Sequence, residues 1–263
     1  MRRIRRIKPG NAPQQANSHG QTRIQRGVRT NKIVKTNVPP VIKSNPVTVS
    51  NTHSPSIANW NYDTVKPIWL DETVYLIGGG PSLKGFQWDA LNGKKTIAIN
   101  RAVQFYPNAD AVYWTDSRVY MWYKNDIDKF KGLKYTLKAG NHYTGKVHVL
   151  KKGVKFGLES SRDSLAHGNN SGYAAINLAV HLGAKRIVLL GYDMGNEGAL
   201  SHFHDGYPVN ATAENIYKNQ FIPGFTVLRE LLYTKGIECY NASINSKLEV
   251  FPKIDLIRAL SLS

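Results

Sequence analysis

A single cysteine, Cys239, stands in 263 residues. That excludes an internal disulfide and a cysteine-rich metal site, and it fits a reducing, cytoplasmic compartment. No apolar run approaches the roughly 18 residues that a membrane-spanning helix needs. The opening Met1-Arg2-Arg3-Ile4-Arg5-Arg6 is followed by no apolar stretch of the kind a secretory leader carries. Acidic residues are missing from the first sixty positions, the first being Asp63. Eleven of the 35 lysines and arginines lie there, so that segment supplies +11 of the +17 net charge and the remainder of the chain only +6.

Residues 1–66 show no sustained apolar period, and prolines stand at 9, 13, 39, 40, 46 and 55. Asn, Ser, Thr, Gln and basic residues fill most of the rest. Such a segment buries too little apolar surface to offset its ordering entropy, so a basic, low-complexity arm, disordered alone, is expected. Its charge points to nucleic acid or another polyanion as partner, held by Arg2, Arg3, Arg5, Arg6, Lys8, Arg23, Arg26 and Arg29. A solubilising extension, or an arm that threads into an assembly, fits the same composition. In the second case Asn31–Thr36 and Val47–Ser50 have the composition to add as strands to another chain's sheet edge.

From residue 67 to 263 the pattern changes to short apolar runs alternating with helical periodicity. Strands are expected over 73–78, 95–99, 109–114, 185–190 and 236–241, with shorter ones at 135–137, 146–150 and 154–156. Short helical pieces are expected at 86–91 and 103–106. Longer helices are expected over 119–130, 173–182 and 254–262, and over 211–234 with a break or kink at Pro223-Gly224. Gly93, Gly183 and Gly236 follow helical segments and suit left-handed caps. Tyr120, Trp122 and Tyr123 read as core, and Cys239 as a buried thiol. Buried strands alternating with helices define an α/β fold, a mostly parallel sheet with helices on both faces.

In such sheets ligands lie beyond the carboxyl ends of the strands. Those ends collect Gly78, Gly79 and Gly80 with Ser82, then Asn100, Asp116, Gly191 and Asp193. Asn170, Ser171 and Gly172 open a helix, whose N-terminus favours anions. Val74-Tyr75-Leu76-Ile77 running into three glycines is a strand entering a turn without side chains, where a phosphate or sugar can approach the backbone. The spacing is not that of the dinucleotide fingerprint, since Pro81 and Leu83 fall where glycines are needed, and the P-loop's Gly-Lys-Ser/Thr is absent.

His202 and His204, followed by Asp205, lie in a glycine-flanked loop. Three readings suit them: a general base for an acceptor hydroxyl, a metal pair with Asp193 or Asp116, or solvated loop residues. Asp116 suits a metal or ribose ligand and equally a helix N-cap. Mg²⁺ is compatible with these residues, and nothing in the sequence requires it.

Gly-Gly-Gly-Pro-Ser-Leu, a strand ending Ile-Asn, Asn-Ser-Gly heading a helix, and Leu-Gly-Tyr-Asp-Met occur here in an order that resembles two related groups. One is the Campylobacter-type sialyltransferases; the other is the archaeal 6-hydroxymethylpterin diphosphokinases of the MptE type. The segment from Ser201-His202-Phe203-His204 to Phe251-Pro252 also resembles uncharacterised tailed-phage proteins. The resemblance covers about residues 72–260. It implies a Rossmann-like nucleotide-binding transferase domain using a nucleotide or nucleotide-sugar donor. Gly78, Gly79 and Gly80 would approach the donor phosphate or sugar, and Asn100 would hydrogen-bond the donor. Asn170, Ser171 and Gly172 would contact base or ribose, and Gly191 and Asp193 would line the nucleoside pocket. Gly79 stands where the sialyltransferases carry asparagine. The resemblance implies glycosyl transfer first and diphosphate transfer second. A third possibility is a non-catalytic virion or nucleic-acid-binding component on the same scaffold, in a host cytoplasm or a virion.

Overall fold

The computed structural model describes residues 60–140, 142–196, 202–204 and 212–262. The chain divides into two units, Met1–Thr52 and His53–Ser263, and every described residue belongs to the second. The eight basic residues singled out in the arm lie outside the described residues, as does Asp205.

Seven strands form one parallel sheet: β1 (Thr73–Ile77), β2 (Lys95–Ile99), β3 (Ala111–Trp114), β4 (Leu133–Thr136), β5 (His148–Val149), β8 (Arg186–Leu190) and β9 (Glu238–Asn241). A separate parallel pair joins β6 (Lys151–Lys152) to β7 (Ser164–Leu165). The spatial order in the sheet is β5-β4-β3-β2-β1-β8-β9. The chain therefore builds outward from β1 to β5, then crosses back to place β8 on β1's other side. That reversal between β1 and β8 is the topological switch point of an open α/β sheet, where ligand crevices form.

Period-two alternation divides the core between the two faces of the sheet. Val74 and Leu76 of β1 join Ile187 and Leu189 of β8 on one face. Tyr75 and Ile77 join Val188 and Leu190 on the other. The register makes this self-consistent, pairing Val74 with Ile187 and Ile77 with Leu190. The second face is covered by α1 (Ala102–Phe105), α2 (Ser117–Trp122), α3 (Lys124–Lys129) and α7 (Leu256–Leu260). The first is covered by α4 (Ser171–Leu182) and by α6 (Ile222–Thr234), which the short α5 (Glu214–Ile216) leads into. Leu178, Leu182, Phe225 and Leu228 are among the residues these two helices bury there. Because β1 is covered on both faces, all five of its residues are buried, which explains its unbroken apolar run. Cys239 is buried, and burial pushes its thiol well above the ordinary range.

Several expectations need correction. The folded body starts before residue 67: Asp63 donates its N–H to the Val149 carbonyl, and Val65 is buried in the core. The helix expected over 119–130 is two helices, because Tyr123 leaves helical geometry (φ −117°, ψ 27°) between α2 and α3. No strand forms at 154–156. There the Val154 N–H is taken by the Glu159 carboxylate at 2.6 Å, and Gly157 turns the chain with φ +130°. The helical run from Glu214 to Thr234 continues through Pro223 but is not regular: a π-turn over Tyr217–Phe221 lies directly before α6, where Pro223 stands at the second position. Gly183 caps α4 with φ +106°, as its position implies.

Candidate functional site

The ladder between β1 and β8 continues past the strand ends. Gly78 donates its N–H to the Leu190 carbonyl, and Gly80 to the Gly191 carbonyl, each at 2.8 Å. A Cβ on Gly78 would stand 2.6 Å from the Gly191 oxygen, and one on Gly80 would overlap the Asp193 carboxylate. Two of the three loop glycines thus let the chain approach itself. Their N–H groups are occupied, so Gly78 and Gly80 line the cavity without offering it a free amide. Gly79 differs. Its N–H has no hydrogen-bond partner among the described residues, and a Cβ there would meet the His202 ring at 3.0 Å.

Asp193 closes the loop from the other side. Its carboxylate accepts the Ser82 N–H at 3.1 Å and the Ser82 hydroxyl at 2.8 Å. Beneath it runs a polar network that the sequence did not announce. The Tyr192 N–H donates to Ser243 Oγ at 3.0 Å, and Ser246 Oγ donates to the Tyr192 carbonyl at 2.5 Å. Buried Asn241 ties both serines, donating to Ser246 Oγ at 3.0 Å and accepting the Ser243 N–H at 3.0 Å. The Gly191–Asp193 turn is thereby held from below as well as from the glycine loop.

These elements enclose a cavity of about 170 Å³ at the carboxyl ends of β1, β2 and β8. Gly78, Gly79, Gly80, Asn100, Asn170 and Ser171 line it, as do Gly172, Gly191, Asp193 and His202. Most of the residues singled out from the sequence are therefore brought together. Three are not. Ser82 lies on the far side of Asp193, in a neighbouring cleft with Asn196 and Lys247. Asp116 caps α2, accepting the Arg118 N–H at 2.9 Å and the Arg118 Nε at 2.8 Å, and it lines a different hollow. His204 stacks on Phe105 at 5.3 Å, and its Nδ1 lies 3.0 Å from Arg101.

Asn100 adopts a left-handed conformation (φ 54°), which asparagine tolerates better than other side chains. Its N–H donates to the Tyr113 carbonyl at 2.9 Å. Its Oδ1 is buried at the cavity wall without a hydrogen-bond partner among the described residues. A buried acceptor left open costs about 1–3 kcal/mol, and this one opens on the cavity. Met194, also on the wall, is left-handed at φ 50°. Strained backbone of this kind gathers at binding sites.

Asn170 is the N-cap of α4. Its Oδ1 accepts the Tyr173 N–H at 2.8 Å and its Nδ2 donates to the Gly168 carbonyl at 3.2 Å. Its amide is therefore committed to the cap. The N–H groups of Ser171 and Gly172 remain, with no partner among the described residues, at the positive end of a twelve-residue helix beside the cavity. Gly172 is required there, since a Cβ would stand 2.9 Å from the Tyr192 ring.

Phe203 fixes the histidine segment. It packs edge-on to Phe105 at 4.8 Å and against Trp88 at 5.7 Å, and its N–H donates to the Gly79 carbonyl at 3.0 Å. Flanked in this way, His202 faces the cavity while His204 stays in the aromatic stack. Burial, and secondarily the Arg101 guanidinium, hold His202 below the ordinary histidine range. It is neutral at pH 7 and able to accept a proton. Tyr217 and Phe221, from the π-turn, supply an aromatic wall, their rings 5.8 Å apart. Burial raises the Tyr217 phenol, so it stays protonated. The sequence offered no signal for this pair, because a π-turn has no short motif. Among the described residues no three of His, Cys, Asp and Glu are grouped closely enough to hold a metal ion, so the pairing of His202 and His204 with Asp193 or Asp116 as ligands is not formed there.

The fold is similar to that of a solved glycosyltransferase structure. The MAf glycosyltransferase from Magnetospirillum magneticum superposes with a TM-score of 0.53 at 14% identity, over 77% of this chain and 36% of that one. The present chain thus spans about a third of that protein's length. The sialyltransferase CstII from Campylobacter jejuni, bound to cytidine-5'-monophosphate, matches over 70% of this chain and 85% of its own at 19% identity, with a TM-score of 0.44. At 14% identity the likeness to the first of these is one of fold. No family model matches the sequence, and no curated protein sequence is significantly similar to it.

Proposed function

We propose that the chain is a nucleotide-dependent transferase, and that it moves a glycosyl group from a nucleotide-sugar donor. One observation carries this reading. At the switch point of the sheet, a single cavity joins three kinds of group. They are a buried acceptor (Asn100 Oδ1) and amide donors (Gly79, Ser171, Gly172), all without partners among the described residues, and a neutral histidine (His202). Those are the groups that a donor with a phosphate and a polar base or sugar needs. The amides face the phosphate. Asn100 accepts a hydrogen bond from the nucleoside or sugar. Tyr217 and Phe221 give a ring surface to stack against.

His202 then takes the proton from an acceptor hydroxyl as that oxygen attacks the anomeric carbon. The carbon–oxygen bond to the nucleotide phosphate breaks. The departing phosphate carries the bonding pair, and the amides at α4 and Gly79 stabilise the charge. His204 holds Arg101 and the aromatic stack in place rather than touching the reactants. A Mg²⁺ ion has no protein-built site among the described residues, and no step here depends on one. The basic arm is proposed to hold the protein on nucleic acid or another polyanion, and a phage-encoded origin fits that pairing of arm and transferase.

The test is a thermal-shift screen of the full chain against nucleotides and nucleotide sugars, with and without Mg²⁺. A ligand at a hundred times its Kd stabilises by about 2.7 kcal/mol. A shift with one nucleotide family, abolished in Asn100→Ala, is expected. No shift with any of them overturns the donor site.

A further inference from the structure

Along the carboxyl edge of the sheet, the donor cavity occupies the ends of β8, β1 and β2. The next strand ends toward the β5 edge carry a different chemistry. A hollow of about 430 Å³ lies there, formed by Thr115–Arg118 after β3, Leu137 and Lys138 after β4, and Lys152 of β6. Three cations line it, Arg118, Lys138 and Lys152, against one carboxylate, Asp116. Asp116 is already taken by Arg118, whose NH2 approaches to 2.6 Å. Lys138 and Lys152 are exposed and form no ion pair with another described residue. Three cations against one carboxylate leave the hollow with a net excess of two positive charges.

The positive field is felt by its neighbours. The Asp116 carboxyl is held below its ordinary range by the Arg118 hydrogen bonds, with Lys138 contributing. His167, just before the Asn170 cap, is held below the ordinary histidine range by burial and then by Lys152 and Lys155. The basic surface therefore reaches back toward the α4 end of the donor cavity. β3 is two strands from β1, roughly 10 Å along the sheet at ordinary strand spacing. That places the hollow beside the donor cavity, on the same edge.

We propose that this hollow is the acceptor subsite and that the acceptor is anionic, carrying a phosphate or carboxylate group that Lys138 and Lys152 bind. This rests on the transferase reading above. An anion seated over β3 and β4 leaves the rest of the acceptor to extend past β2 toward His202, which takes the proton of the attacking hydroxyl. Lys138 and Lys152 are binding groups and do not touch the reacting atoms.

The test is a backbone-amide NMR titration of the full chain with tripolyphosphate and, separately, with citrate. Reading individual amides separates the hollow from the basic residues of the arm. Movement of the Arg118, Lys138 and Lys152 amides with either anion is expected, and the stronger of the two responses names the acceptor's anion. The Lys138→Gln/Lys152→Gln double variant is expected to bind about tenfold more weakly, as two exposed charge contacts warrant. Amides that stay still with both anions, or that titrate identically in the double variant, overturn the proposal. A parallel nucleotide titration reads Gly79, Asn100 and Gly172. Failure there with the hollow still responding overturns the donor reading, and with it the hollow's role as acceptor subsite, while leaving the anion site itself.

Discussion

The carboxylate of Asp193 reaches across the strand ends to Ser82, taking its N–H at 3.1 Å and its hydroxyl at 2.8 Å. It does so through the space that a side chain at residue 80 would fill. One acid thus joins the turn after β8 to the turn after β1 and forms a wall of the cavity between them. Ser82→Ala is expected to cost about 1 kcal/mol, the usual net value of a partly solvated hydrogen bond. Asp193→Ala is expected to cost about 2 kcal/mol, since it leaves the Ser82 N–H and hydroxyl without this acceptor. Urea unfolding of both variants checks the order. Equal stabilities of Asp193→Ala and the parent protein would show that the bridge does not hold the two turns.

The three loop glycines should separate by phenotype. Gly80→Ala drives a methyl into the Asp193 carboxylate and Gly78→Ala into the Gly191 carbonyl, where backbone cannot yield. Each is expected to lose about 2 kcal/mol or more, as an overpacked core does. Gly79→Ala meets only the edge of the His202 ring at 3.0 Å. It should fold with a loss under about 1 kcal/mol and yet weaken nucleotide binding. Melting temperatures, with and without the nucleotide that responds in the screen, distinguish the two classes.

Asn170→Ala removes the α4 cap, an expected loss of about 1 kcal/mol. Asn170→Asp keeps the acceptor for the Tyr173 N–H. It should recover most of that stability while placing a negative charge where a phosphate is proposed to sit. Restored stability with weakened nucleotide binding is therefore expected, and calorimetry measures both.

His202 supplies a pH signature. Its folded pKa lies below the ordinary 6.5, because burial and Arg101 disfavour the charged ring. Above pH 6.5 both folded and unfolded states are neutral and no linkage arises. As pH falls below 6.5 the unfolded chain takes up the proton first, so stability declines until the folded pKa is passed. His181, buried and donating to the Ser164 carbonyl 3.0 Å away, is shifted in the same direction and adds to the slope. His202→Gln should flatten part of the decline below pH 6.5. The same substitution should lower transfer by about 10²–10⁴-fold if the ring is the base. Ring-proton NMR gives the titration midpoint directly, and a midpoint above 6.5 would contradict the neutral base.

Much of the architecture is legible in the chain. The apolar runs place β2 at its observed bounds, and β1, β8 and α4 within a residue or two. Buried parallel strands read as unbroken apolar runs, and α4 begins at an asparagine cap and ends at Gly183. The departures fall where backbone leaves a regular period. The pause at Tyr123 and the π-turn before Pro223 are set by packing, and neither has a local residue signature. Ser243, Ser246 and Asn241 escape a sequence reading for a related reason. They act on Tyr192 from about fifty residues away, and only the pairing of β8 with β9 brings them together.

The sequence by itself determined the α/β alternation, the glycine-ended strand, and the concentration of positive charge in the first sixty residues. Each is a property of composition or spacing along one segment. Tertiary structure alone decided what the glycines are for and which histidine faces the cavity. A missing Cβ makes room, but only the neighbours in space tell whether chain or ligand fills it. All three line the cavity, but at Gly78 and Gly80 the Gly191–Asp193 turn fills the space of a side chain, and at Gly79 only the edge of the His202 ring comes near. His202 and His204 are two residues apart and chemically alike. Phe203, anchored between Trp88 and Phe105, leaves His202 at the cavity wall and His204 stacked on Phe105, because the loop after β1 meets the first ring and α1 the second.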